Sequence, residues 1–76
     1  MSDVTTLDLT MYGCPLHYIK AREAVNSLAL GQEIMLVVNN GDSLSQVMKS
    51  LSRDGQLCEV SLTDALTSTL RVIRKQ

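Results

Sequence analysis

The sequence predicts an α/β (α+β) two-layer sandwich, a four-stranded mixed sheet with two helices packed on one face. Three observations lead there. Two segments carry apolar residues at three- and four-residue spacing, the signature of helices with one buried stripe. A third, Ile34-Met35-Leu36-Val37-Val38, is an unbroken apolar run rich in β-branching, as in a central strand covered on at least one face. Turn residues divide the chain into six elements in the order strand, helix, strand, helix, strand, strand.

The first strand is expected over residues 4–11, where Leu7, Leu9 and Met11 alternate with more polar positions before Gly13 breaks the pattern. Cys14-Pro15 then opens a helix to about residue 28, with Tyr18, Ala21, Ala24, Val25 and Leu28 on its buried stripe and Gly31 as its stop. The second strand covers residues 33–39, and Asn39-Asn40-Gly41-Asp42 forms a turn. Ser43 stands three residues before Gln46, the spacing of a capping box. Leu44, Val47, Met48 and Leu51 mark the inner face of the second helix, which Asp54-Gly55 closes. Residues 57–62 and 69–74 read as the last two strands, joined by a polar connection near Asp64. Right-handed crossovers place both helices on the same face if the intervening strands progress in one direction. The other face is then open to solvent or to a partner.

With 76 residues the chain predicts one domain, residues 1–76. A chain this short buries only about 60% of the surface its unfolded form exposes, so good apolar positions must face inward. Hydrophobic residues make up 45%, enough for a compact core. Tyr12 and Tyr18 are the only aromatics, so the core must be aliphatic, with Met35 and Met48 as filler. The formal charge of −1 and the lack of an aromatic platform disfavour direct nucleic-acid binding. The basic group Arg71, Arg74 and Lys75 reads as a solvated strand edge. No stretch approaches the roughly 20 apolar residues of a membrane span. Met1 to Thr6 has no leader pattern, so a cytoplasmic location with reduced thiols is expected.

Cys14-Pro15 is the most informative dipeptide. Proline suits the first helical position, which would set Cys14 at the N-cap facing the free amides of Leu16 and His17. The positive end of a helix dipole stabilises a thiolate there and lowers its pKa. A persulfide has the same requirement, since its outer sulfur reacts as the anion. From these two residues alone, an ordinary small residue at a helix start remains the alternative.

The surroundings extend the argument. Asp8 precedes Cys14 by six positions, Lys20 lies in the helix, Gly31-Gln32-Glu33 precedes the second strand, and Asp54-Gly55-Gln56 follows the second helix. From about Leu7 to Ile73 this pattern resembles the TusA/SirA-like sulfur-carrier family, whose first helix begins Cys-Pro-x-Pro and whose elements run β-α-β-α-β-β. The resemblance implies a carrier that accepts a persulfide sulfur on Cys14 from a cysteine desulfurase or other sulfur donor protein. It then passes that sulfur to a downstream acceptor protein. Gly13, Pro15, Leu16, His17, Asp8 and Lys20 support the site, with Lys20 attracting acidic partner surfaces. The chain departs from the family where His17 replaces the second proline, Met11 a glycine, and Asn40-Gly41 an Asp-Pro turn. These changes point to a divergent member, and His17 regains an N–H that a proline lacks. A non-catalytic adaptor that keeps the fold without the transfer is the alternative.

His17 is expected to be an exposed or partner-contacting side chain, with assistance to the thiol as the sharper reading. Cys58, beside Leu57 and Val60, is expected in the core rather than as a resolving thiol. Cys14, His17 and Cys58 supply at most three soft ligands and no second close pair, so no zinc site is predicted. No carboxylate pair, Ser–His–Asp order or glycine-rich phosphate loop is present, and no cofactor is predicted.

Overall fold

A computed structural model describes residues 5–13 and 15–76, with Val4 and Cys14 outside the described residues. Four strands, β1 (Thr5–Asp8), β2 (Glu33–Asn39), β3 (Leu57–Thr63) and β4 (Thr67–Ile73), alternate with two helices, α1 (Leu16–Asn26) and α2 (Asp42–Arg53). The element order is the expected β-α-β-α-β-β. The sheet is mixed, in the order β1-β2-β4-β3, with β1 parallel to β2 and β4 antiparallel to both β2 and β3.

In β2 and β4 exposure alternates with period two, as it must where one sheet face is covered and the other open. Ile34, Leu36 and Val38 of β2 and Ser68, Leu70 and Val72 of β4 are buried. Across the register Ile34 opposes Val72 and Leu36 opposes Leu70. Ala21 and Val25 of α1 and Val47 and Leu51 of α2 close over them, joined by Leu9. Both helices thus lie on one face. The strands β1, β2 and β3 succeed one another across the sheet in one direction, and that progress is the condition under which right-handed crossovers do this.

Several boundaries move. β1 stops at Asp8, so Met11 lies outside the strand and is 91% exposed. α1 ends at Asn26 rather than near Leu28, with the Ser27 hydroxyl donating to the Ala24 carbonyl. Gly31 is not the helix stop. It takes φ +88° in the turn into β2 and donates its N–H to the Arg74 carbonyl at 2.7 Å. The Ser43–Gln46 capping box does not form. α2 starts two residues earlier, at Asp42, behind Gly41 at φ +89°, a conformation that a side chain strongly disfavours. Asp42 in the first turn and Arg53 in the last complement the dipole of α2. Met35 is half-buried on the open face rather than in the core, whereas Met48 packs against the core as expected.

The basic C-terminal group is not a solvated edge, because β4 is an inner strand. On the open face Arg71 bridges two neighbours, its Nε to Glu33 at 2.6 Å and its Nη1 to Glu59 at 2.8 Å. Arg74 reaches under the end of α1, where its guanidinium donates to the carbonyls of Asn26 and Leu28. α1 has no basic residue in its own last turn, so Arg74, the residue after β4, supplies the cation that complements its dipole.

The edge strand β3 carries a register shift between Val60 and Leu62. Before it, Cys58 opposes Val72 and Val60 opposes Leu70, all on the helix-facing side. After it, Leu62 opposes Thr69 on the open face, so the one extra residue, Ser61, turns Leu62 over.

Truncating Leu36→Ala removes a fully buried side chain from an inner strand and should cost about 2–5 kcal/mol in urea unfolding. Leu66→Ala, at a side chain 79% exposed, should stay within about 0.5 kcal/mol of the parent.

Candidate functional site

The segment between β1 and α1 is held from both ends. The Leu9 amide donates to the Val37 carbonyl at 2.8 Å, extending the parallel pairing one step past β1. Asp8 Oδ1 accepts from the Thr10 hydroxyl at 2.6 Å and the Thr10 amide at 2.9 Å, a local turn built by a carboxylate two residues upstream. The hydroxyl bond, then the amide bond, lowers the Asp8 carboxyl pKa below its ordinary value. The Asn39 side-chain amide donates to the Thr10 carbonyl at 3.0 Å, and Tyr12 N–H donates back to the Leu9 carbonyl. In the sequence Thr10 carries no expected role and Asn39 only a place in a turn; in the structure Asn39 ends β2. The Asp-x-Thr spacing was a readable signal for Thr10, whereas Asn39 acts across 29 positions of chain.

Cys14 follows this segment and lies outside the described residues, so its geometry is carried only by its neighbours. Pro15 occupies the flanking cap position of α1 and Leu16 begins the helix, one residue later than expected. The His17 amide donates to the Gly13 carbonyl at 3.1 Å and the Ile19 amide to the Pro15 carbonyl at 3.3 Å. The expectation of two free amides at the helix start is therefore corrected. His17 N–H is consumed by a helix-type bond to Gly13, whereas Leu16 N–H has no backbone acceptor among the described residues. Gly13 has neither a positive φ nor a crowded Cβ position.

His17 is also not exposed. Its side chain is 1% accessible, and among the described residues neither ring nitrogen has a hydrogen-bond partner. The ring meets Tyr18 edge-on, with centroids 5.7 Å apart. Helix geometry explains the burial: positions 17, 21 and 25 repeat every four residues, so His17 heads the same inner row as Ala21 and Val25. Tyr18, Ala24 and Leu28 pack at the margin of that row.

The surface on either side of Cys14 is apolar. Met11 (91% exposed), Leu16 (49%), Tyr12 (37%) and Ile19 (37%) all face solvent around the start of α1. Lys20 Nζ stands 5.9 Å from the Tyr12 ring centroid, within cation–π reach, and adds a positive charge to this rim. Cys58 is half-buried against the core, and burial, followed by the neighbouring Glu59 charge, pushes its thiol up to about 11. Among the described residues no three His, Cys, Asp or Glu side chains come together as metal ligands, and no helix is long and apolar enough to cross a membrane.

Two outcomes follow. At pH 7.5 Cys58 should alkylate about 100-fold more slowly than an unperturbed cysteine, read by peptide mass mapping with iodoacetamide, because thiolate carries the reaction. The raised pKa means the folded state holds that proton longer than the unfolded chain. Its contribution to stability is present below pH 9 and is lost as pH rises toward 11. Second, His17→Leu removes a buried imidazole without partners, and the urea midpoint should rise by the equivalent of about 1 kcal/mol.

No family model matches the chain, and no curated protein matches it in sequence. Its fold is similar to the crystal structure of a SirA-like protein from Desulfitobacterium hafniense, at a TM-score of 0.80 and 22% identity. The superposition covers 96% of this chain and 100% of that one.

Proposed function

We propose that the chain is a sulfur carrier that accepts a persulfide sulfur on Cys14 from a donor protein, such as a cysteine desulfurase, and relays it to an acceptor protein. The observation that carries the reading is the exposed apolar rim of Met11, Tyr12, Leu16 and Ile19 around the Cys14-Pro15 helix start. A small domain has little reason to leave four large side chains in water at one place unless a partner covers them. The fold shared with a SirA-like protein supports it, as does the match of Asp8, Cys14-Pro15 and Lys20 to the sulfur-carrier pattern.

The transfer is balanced without an oxidant. The Cys14 thiolate attacks the outer sulfur of the donor persulfide. The donor's S–S bond breaks, the donor cysteine leaves as thiolate, and Cys14 becomes the persulfide. The same exchange with the acceptor's thiolate returns Cys14 to its starting state. Leu16 N–H and the positive end of α1 favour the anionic forms at residue 14. Asp8 stabilises the turn that leads into the site, and Gly13 and His17 close the first turn of the helix. Lys20 and Tyr12 present a charge and a ring to the docking partner. The working compartment under this reading is the cytoplasm, where the thiol stays reduced.

Incubation with a cysteine desulfurase and free cysteine should add the mass of one sulfur atom to the protein, mapped to Cys14 and absent in Cys14→Ser. Failure of the wild-type chain to load, beside a carrier that loads normally, sinks transfer from that donor. Partner binding that survives Cys14→Ser would then favour the adaptor.

A further inference from the structure

The helix layer holds a second feature, remote in chemistry from the thiol. Between α1 and α2 runs an open groove lined by Tyr18 from α1 and by Gln46, Lys49, Ser50 and Arg53 from α2. The four α2 residues follow one another at offsets of three, four and seven, so they form one stripe of the helix. No carboxylate is among the lining residues.

The groove is basic in a chain whose formal net charge is −1. Lys49 and Arg53 lie one turn apart, about 5–6 Å between Cβ atoms, where like charges destabilise a helix. Neither takes part in an ion pair among the described residues. Asp54, the carboxylate next in sequence, is already engaged by Arg22 Nε at 2.7 Å. Arg71 is occupied by Glu33 and Glu59, and Arg74 by the carbonyls at the end of α1. Lys20, over the Tyr12 ring, and Lys75 are outside the groove lining. Lys49 and Arg53, both without an ion pair among the described residues, therefore share a concave surface that also offers two hydroxyls and a carboxamide.

We propose that this groove binds a phosphate monoester, with Lys49 and Arg53 neutralising its charge and Tyr18, Ser50 and Gln46 supplying hydrogen bonds. A tetrahedral dianion matches two cations and presents three terminal oxygens to donors arriving from both helices. A carboxylate has one charge and a planar pair of oxygens, and leaves half of the set unused. Two cations are too few for the backbone of a nucleic acid, whose binding scales with the number of phosphates neutralised. The inference stands apart from sulfur transfer, since a chain that never loads Cys14 would retain the groove.

The test is a 1H–15N correlation titration of the full chain with glycerol 3-phosphate, inorganic phosphate and glutarate at constant ionic strength. Saturable shifts confined to residues 46–53 and Tyr18 are expected with glycerol 3-phosphate. The Lys49→Gln/Arg53→Gln double variant should bind at least about tenfold more weakly, a loss of about 1.4 kcal/mol. Its spectrum elsewhere should be unchanged, and Lys49→Arg should restore most of the affinity lost in Lys49→Gln. Equal affinity for inorganic phosphate would assign recognition to the anionic head alone; tighter binding of the ester would add the Tyr18 wall. Unsaturable shifts spread over Lys20, Arg71 and Lys75, or an unaffected double variant, overturn the proposal. Glutarate binding as tightly as the ester also overturns it, in favour of an acidic peptide.

Discussion

The antiparallel pairing of β2 with β4 is the constraint on which the rest of this fold depends. Seven residues of each strand are in register, from Glu33 opposite Ile73 to Asn39 opposite Thr67. That register sets Leu36 against Leu70 and Ile34 against Val72, producing the floor on which both helices rest. A slip of one residue would turn one strand over against the other. If β4 turned, it would send Leu70 and Val72 to water and put Thr69 and Arg71 beneath the helices. The Arg71 bridge to Glu33 and Glu59 sits on the opposite face and favours the same register. As an exposed network it contributes modestly to stability, and its clearer effect is to make the wrong register costly.

From that floor the candidate site is reached in two steps. β1 joins the far edge of β2, and the Asp8–Thr10 turn and the Asn39 amide carry the chain from the sheet toward α1. His17, Ala21 and Val25 then key α1 into the core. The helix start is located by the inward row of α1 as well as by its own capping residues. Its surroundings can thus be apolar and open while the backbone beside them stays tied to the sheet.

Much of this was legible from local pattern. The β2 run, the Leu44-Val47-Met48-Leu51 face and the order of six elements all follow from periodicity, which depends on the chain's own geometry. What escaped depends on pairing across distance. Arg71 and Arg74 read as an edge because charge at a C-terminal strand looks solvated, yet β4 sits inside the sheet and both side chains find partners from other elements. Met11 continued an alternating pattern that the real strand abandons after Asp8. His17 was misjudged because imidazole is usually found near water, while its row on the helix, set by Ala21 and Val25, runs into the core. Gly41 took the role assigned to Ser43 because a positive φ, invisible in a capping motif, starts α2 earlier.

The shifted register of β3 bears on how crowded solutions of this protein behave. Leu57, Val60 and Leu62 are all 40% or more exposed on an edge strand, which would ordinarily invite a second chain to add itself and build a ribbon. The extra residue at Ser61 breaks the even spacing of the free amides and carbonyls midway along the strand, and sends Leu62 to the other side from Val60. An incoming strand that matches the first half is out of step with the second. The protein can therefore keep aliphatic side chains on its rim while denying them a template for endless growth.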